Sequence, residues 1–152
     1  MTYIMRLEKW LTTFCLLGAV ALGIVQIIAR YVFSTGWPWG NGIVVMLAVW
    51  GSLFAGAAAI ESREHISIDI VMKAFPISWQ SKINLIANLL TTLFVGTLCY
   101  FSIHYFFFLV EFGGTSLLTY LPAWVEFIGI PVSTFFMTIH GFRNVVSLIR
   151  GG

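Results

Sequence analysis

Four long stretches with no charged side chain constrain the fold of this chain more than any other feature. The ranges 10–29, 31–60, 83–110 and 127–142 contain no Asp, Glu, Lys or Arg. A helix needs about 20 mostly apolar residues to cross the roughly 30 Å hydrocarbon core of a bilayer. The sequence therefore predicts an all-α integral membrane protein with one domain and four transmembrane helices. We place these helices at about 10–30, 39–60, 79–110 and 122–145.

The basic residues predict how these helices are oriented. Seven of the eight lie at one end of the spans or in the loop between the second and third, namely Arg6, Lys9, Arg63, Lys73, Lys82, Arg143 and Arg150. Only Arg30 lies at the other end. Basic residues are retained on the cytoplasmic side during insertion, so we predict that both termini and the loop 61–82 face the cytoplasm. The small net charge of +2 gives no reason to expect a nucleic-acid partner.

The first stretch shares features with a secretory signal, because Arg6 and Lys9 precede an apolar run that contains Ala19-Val20-Ala21. The apolar region of a cleaved signal covers about 7 to 15 residues and ends at its cleavage site. This run continues as far as Ala29. We therefore predict a retained first span.

The loop between the second and third spans is the most polar part of the chain. If 66–75 is helical, its apolar side chains cover a wide arc, and Asp69 and Lys73 lie four residues apart on the polar side. This pattern predicts a short amphipathic helix that lies in the inner membrane interface. Pro76 would end it.

Small residues in the second span predict a close helix contact. They are Gly51, Ser52, Ala55, Gly56 and Ala59. Small side chains allow two helices to approach closely in a membrane. Packing within this chain is the simpler interpretation, and a face for a second chain is the alternative. We also expect Trp50, near the middle of this span, to pack at a helix contact. Pro131 should kink the fourth span or confine its regular part to the residues after it.

Ionisable residues in the spans give little support for chemistry. His104 and His140 suggest a haem ligated by two helices, but their positions in the sequence separate them by most of the membrane thickness. A small exporter usually carries an ionisable group within its spans, whereas Glu126 lies near an outer end and is expected to be solvated. We expect no cluster of catalytic or metal-binding side chains. The sequence therefore predicts neither an enzyme nor a cofactor or metal in this chain.

A set of residues in a fixed order carries a family resemblance. The set comprises Arg30-Tyr31-Val32-Phe33, Pro38-Trp39, Trp50, Gly56-Ala57-Ala58, Arg63, His65-Ile66, Asp69, Leu121-Pro122-Ala123-Trp124, Pro131 and Arg143. Over roughly 6–148, this order resembles the small membrane subunit of tripartite ATP-independent periplasmic (TRAP) transporters, the DctQ-like family. One departure is Gly40-Asn41-Gly42, because many relatives carry an acidic pair there. Asn41 offers a partner only neutral hydrogen bonds.

The resemblance implies a role for the chain. TRAP systems combine a periplasmic substrate-binding protein, a large elevator-type membrane subunit that holds the substrate and sodium sites, and a small subunit that enlarges the stationary scaffold. We therefore expect a scaffold subunit, in the bacterial inner membrane, of a sodium-driven importer for an organic acid. Dicarboxylates, sialic acid and other carboxylates all fit. The alternatives are a membrane-anchor subunit of a respiratory enzyme and a stand-alone exporter.

Several residues are candidates for contact with the large subunit or with membrane phospholipids. They are Arg30, Trp39, Asn41, Trp50, Gly51, Ser52, Gly56, Arg63, His65, Asp69 and Trp124. Arg30 could pair with a partner carboxylate or a lipid phosphate, or extend to the interface as a boundary arginine. Arg63, His65 and Asp69 could order the inner loop through charged hydrogen bonds, or could simply be solvated.

Overall fold

The computed structural model describes residues 2–62 and 77–150, and helices make up nearly all of these two segments. The helices are α1 (Thr2–Tyr31), α2 (Pro38–Ser62), α3 (Ile77–Phe112), α4 (Ala123–Phe127) and α5 (Gly129–Arg150). The only bridge of β type in the described segments joins Thr115 and Pro122. The prediction of an all-α chain is confirmed. The amphipathic helix predicted at 66–75 lies outside the described residues.

Four segments of the structure are long and apolar enough to cross a membrane. They are Arg6–Tyr31, Pro38–Ser62, Lys82–Phe112 and Ala123–Arg150, the last of which comprises α4 and α5. The predicted number of four spans is therefore confirmed. Helices α1, α2 and α3 extend beyond both ends of the ranges proposed from the sequence, whereas the fourth segment begins one residue later than proposed and ends five residues later. The orientation of these spans in the membrane stays a prediction.

Helices α1 and α2 pack antiparallel along most of their length. Gly18 of α1 faces Leu47, and Gly51 of α2 faces Leu16, so the residue numbers on one helix fall as those on the other rise. The missing side chains at these glycines let the two backbones approach closely. This hairpin is the most extensive contact in the chain.

Helix α5 joins this hairpin to α3. It runs parallel to α2, where Trp50 faces Gly129 and Gly56 faces Met137. It runs antiparallel to α3, and one hydrogen bond between the two helices joins the hydroxyls of Ser102 and Thr134 at 3.1 Å. The principal contacts in the described residues thus place the long helices in a row, in the order α1, α2, α5, α3.

Burial agrees with this order. Within an 18-residue apolar segment of each span, 22% of the residues are buried in α2 and 33% in the α4–α5 segment. The corresponding values are only 11% in α1 and 17% in α3. Large apolar side chains remain exposed on the outer helices, including Trp10 and Phe14, each 73% exposed. Lipid chains are as apolar as these side chains, so a membrane protein loses little by leaving them outside its core. The row therefore offers broad apolar faces to lipid or to another protein.

The fourth span is interrupted near its N-terminal end. Helix α4 ends at Phe127, Ile128 forms a turn, and α5 begins at Gly129. Pro131 has no N–H group and cannot donate a hydrogen bond to the carbonyl of Phe127, four residues earlier. In the first turn of α5 this missing donor does little harm. The sequence predicts a kink at Pro131 or a regular helix confined to the residues after it. Instead, the break lies at Ile128, three residues before the proline, and α5 already includes Pro131 in its first turn.

Helix α3 is much longer than a bilayer requires. Its 36 residues span about 54 Å at a rise of about 1.5 Å per residue. Its second half is rich in exposed aromatic side chains, namely Tyr100, Phe101, Tyr105, Phe107, Phe108 and Phe112. The two tyrosines carry a polar hydroxyl and therefore favour the boundary between hydrocarbon and headgroups, whereas the phenylalanines are suited to contact with lipid chains or with another protein.

Candidate functional site

The small-residue stripe of α2 packs within the chain. A Cβ at Gly51 would lie 2.8 Å from the Leu16 side chain on α1, and one at Gly56 would lie 2.7 Å from the Met137 side chain on α5. Ala57, next to Gly56, is fully buried. Ser52 is exposed, and its hydroxyl donates to the carbonyl of Val49. These contacts agree with packing inside the chain, and they leave Ser52 as the member of the stripe open to a partner.

Trp50 lies at the contact between α2 and the break in the fourth span. Its indole Nε1 donates a hydrogen bond of 2.9 Å to the backbone carbonyl of Glu126. The carbonyls in the last turn of a helix lack partners within it, so this bond satisfies one at the end of α4. The ring lies directly over Gly129, where a Cβ would come within 2.5 Å of it. Trp50 therefore packs at a helix contact, as the sequence predicts.

Glu126 is held by the loop before α4. Its carboxylate accepts a hydrogen bond from the hydroxyl of Thr119, and the same hydroxyl oxygen accepts one from the backbone N–H of Leu121. Glu126 is half-buried and Thr119 is buried. The expectation of a simply solvated boundary carboxylate was therefore wrong, because the loop between α3 and α4 folds back over this side chain. Trp124, in the same helix, is 38% exposed and available to lipid or to a partner.

A cavity of about 590 Å³ lies where the loop between α1 and α2 turns back. Polar side chains of Gln26, Arg30 and Asn41 contribute to its lining, together with Trp37. The Gln26 amide donates to the carbonyl of Trp37 at 2.9 Å and fixes one wall. Trp39 stacks on Trp37 with ring centroids 5.9 Å apart. Arg30 is exposed beside this cavity in the last turn of α1 and is the one cationic residue among the described residues that line it.

Three ionisable side chains meet at the other end of helices α1 and α2, away from the loop that connects them. His140 of α5 lies with its Nε2 atom 2.8 Å from Oε1 of Glu8 on α1 and 3.7 Å from Oε2 of Glu61 on α2. The side chains of Glu8 and His140 are 0% and 3% exposed, and that of Glu61 is 12% exposed. Ligand atoms of all three lie within 4.8 Å of one another. The expectation that no metal-binding cluster converges was wrong.

The pair of histidines considered as haem ligands does not meet. Ser102 of α3 lies opposite Thr134 of α5, so His104 lies level with about residue 132. His140 lies about eight residues further along α5, or about 12 Å. This axial separation is smaller than the sequence suggested, because the two helices are offset along their axes. It is still too large for two axial ligands of one iron.

The remaining candidates fall outside the described structure. Arg63, His65 and Asp69 belong to the segment between α2 and α3 that is not described. Their proposed part in ordering the inner loop stays a prediction.

The comparison with known families decides the class of the chain. A family model described as "Tripartite ATP-independent periplasmic transporters, DctQ component" matches residues 6–151. The chain belongs to the DctQ family. The comparison with curated proteins found no match. DctQ proteins are membrane components of TRAP transporters and not enzymes, so the resemblance noted in the sequence is confirmed.

The packing of this DctQ protein explains its glycines after Trp39. Gly40 and Gly42 are buried in the first turns of α2. A Cβ at Gly42 would lie 2.9 Å from backbone atoms of Leu118, and one at Gly40 would overlap the Gln26 amide. An acidic side chain at either position would displace the loop between α3 and α4 or the end of α1. The space that an acidic pair needs is therefore filled by neighbouring segments, and Asn41 between them is exposed.

Proposed function

We propose that this DctQ protein is the stationary scaffold subunit of a sodium-driven TRAP transporter that imports an organic acid across a bacterial inner membrane. It would support a large elevator-type subunit, which holds the substrate and sodium sites, and work with a periplasmic substrate-binding protein. The family match supports the transporter class. Sodium coupling, the organic-acid substrate and the elevator partner follow from the family resemblance.

The row of helices is the observation that carries the scaffold role. A row one helix thick leaves apolar side chains exposed along its outer members, such as Phe94 and Phe107, each 64% exposed. Polar groups deep in the row bond to one another, as Ser102 does with Thr134, or to a backbone carbonyl, as Trp50 does. The chain thus presents surface for assembly and keeps these polar groups for helix packing.

Arg30 is the candidate for a polar contact at the outer face. We propose that its guanidinium pairs with a carboxylate of the large subunit or with a lipid phosphate at the cavity beside α1. Guanidinium groups bind both kinds of anion through two parallel hydrogen bonds. In this scheme Arg30 positions the scaffold and does not touch the transported substrate.

The function can be tested with the chain on its own. Reconstituted alone into proteoliposomes, it is expected neither to bind nor to transport succinate or sialic acid under an inward sodium gradient. The measurement is uptake of the radiolabelled acid, with empty liposomes as the control. Sodium-dependent uptake by this chain alone would contradict the scaffold role and favour a stand-alone carrier.

The orientation needs a separate test. We propose that both termini and the loop 61–82 face the cytoplasm. In a chain without Cys15 and Cys99, a cysteine replacing Thr115 is expected to react with an impermeant maleimide added to intact cells. One replacing Ser62 should react only after the membrane is opened. Both positions are exposed in the structure, so accessibility to the reagent is matched. The reverse pattern would mean that the chain is inserted the other way round.

A further inference from the structure

The cluster of Glu8, Glu61 and His140 is unusual because each side chain comes from a different helix and all are largely buried. Two carboxylates and one imidazole converge where the start of α1, the end of α2 and the middle of α5 meet. Neither the packing of the row nor the proposed scaffold role requires ionisable groups there. Apolar side chains of similar size would fill the same space without the cost of removing charges from water.

The hydrogen bonds within the cluster do not satisfy its polar atoms. Oε2 of Glu8, Oε2 of Glu61 and Nδ1 of His140 are buried and have no hydrogen-bond partner. In the described segments, the ion pairs of the two carboxylates are with His140 alone. A buried carboxylate oxygen without a partner is costly. Two such oxygens in one cluster would both be stabilised by contact with a small cation.

We propose that Glu8, Glu61 and His140 form a binding site for a divalent transition-metal cation of the zinc type. Tetrahedral zinc sites use His nitrogen and carboxylate oxygen at about 2.0–2.2 Å, which places pairs of ligand atoms about 3.4 Å apart. The observed separations of 2.8 and 3.7 Å from His140 Nε2 lie on either side of this value. The ligand atoms of all three side chains lie within 4.8 Å of one another, so side-chain rotations that draw them closer would give a three-ligand site.

The donor set selects the class of cation. Sodium, magnesium and calcium prefer sites built of oxygen, whereas imidazole together with carboxylate suits zinc and its neighbours in the first transition row. The three protein ligands leave a coordination position for water. The free Oε2 atom of Glu8 can also occupy it, if that carboxylate binds through both oxygens.

Neighbouring contacts hold the ligands in place. Asn144, one helical turn after His140, donates a hydrogen bond of 2.6 Å from Nδ2 to the carbonyl of Ile60. This bond fixes the end of α2 against α5 and therefore positions Glu61, the next residue. A bound cation would join α1, α2 and α5 near the start of α1 and the end of α2. The site does not depend on the transport role, so metal binding and uptake can be tested separately.

Metal content of the purified complex tests the proposal. The full-length chain, assembled with its large subunit and purified without chelators, is incubated with Zn²⁺ or Co²⁺, desalted, and analysed by mass spectrometry for metal per chain. We expect about one equivalent, and Co²⁺ should give visible d–d bands typical of a low-coordinate site. Large-subunit preparations without this chain provide the background. Retention no higher than that background would overturn the proposal.

Variants assign the metal to these residues. Glu8→Gln, Glu61→Gln and His140→Gln should each weaken retention by at least about tenfold, because loss of a ligand costs more than loss of an outer partner. His104→Gln and Glu111→Gln are matched controls at exposed positions and should retain the metal. Glu61, at the rim of the cluster, provides a ligand variant least expected to disturb folding. Unchanged retention and cobalt spectrum in Glu61→Gln and His140→Gln complexes would overturn the assignment.

Discussion

Uptake of the transported acid is expected to fall to background when the large subunit and the binding protein are reconstituted without this chain. The large subunit would lose the apolar row that we propose as part of its stationary frame. The surfaces of the large subunit that we propose to contact this row would then face lipid, and the packing contacts between the two chains would be lost. The measurement is sodium-driven uptake of the radiolabelled acid in proteoliposomes, with addition of the wild-type chain as the restoring control.

Variants distinguish a structural requirement from a chemical one. Glu126→Gln keeps an acceptor for the Thr119 hydroxyl, and His104→Asn changes an exposed side chain, so both should leave uptake near the wild-type rate. Gly51→Leu should reduce it strongly, because the new side chain would meet Leu16 and part α1 from α2. Loss of sodium coupling in an intact Glu126→Gln complex would assign a direct part in transport to this carboxylate and contradict the scaffold role.

Replacing Gly129 with Ala is expected to destabilise the chain by about 1–3 kcal/mol, the usual cost of forcing extra atoms into a packed contact. Its Cβ would lie 2.5 Å from the ring atoms of Trp50. The indole cannot retreat without losing its hydrogen bond to the carbonyl of Glu126. The midpoint of thermal unfolding of the purified chain in detergent should fall accordingly.

Two controls isolate the contact with Trp50. Gly96→Ala makes the same chemical change in α3, where the nearest atom to the new Cβ is Thr138 Cγ2 at 3.9 Å, an ordinary contact distance. It should be neutral or stabilise by up to about 1 kcal/mol through helix propensity. In a Trp50→Ala background, Gly129→Ala should lose most of its cost, since the atoms it meets are gone. Equal effects of Gly129→Ala in both backgrounds would show that the indole is not the obstacle.

The sequence predicts the spans well because membrane insertion depends on properties that are local in sequence. The lengths of the uncharged stretches predict four membrane-spanning helices, and Pro131 predicts an irregularity in the fourth span. Trp50 was assigned to a helix contact because it lies too deep for a headgroup anchor. The row order was not predictable, since small residues show that a helix is approached closely but do not identify the neighbour. In the structure, Gly51 contacts α1 and Gly56 contacts α5.

The cluster at Glu8 was missed for a similar reason. Glu8 lies between Arg6 and Lys9, so it resembles part of a solvated charged flank, and Glu61 resembles the start of a polar loop. The antiparallel register of the first two helices, which only the structure shows, explains why the two glutamates meet. In an antiparallel pair the residue numbers of facing positions have a nearly constant sum, and here it is 65 for Gly18 with Leu47 and 67 for Gly51 with Leu16. Extending that register brings the two glutamates close to the same level.

The length of α3 and its aromatic half have a mechanical consequence for the assembled transporter. If the large subunit moves its substrate site across the membrane, as we propose, it exerts a force on the subunit that it contacts. A small subunit that is not held at one depth would move with it. The Tyr100 and Tyr105 rings, exposed in the second half of a helix about 54 Å long, would resist movement along the membrane normal where they lie at the headgroup level. Helix α3 would then keep the proposed scaffold at a fixed depth in the membrane while the large subunit moves.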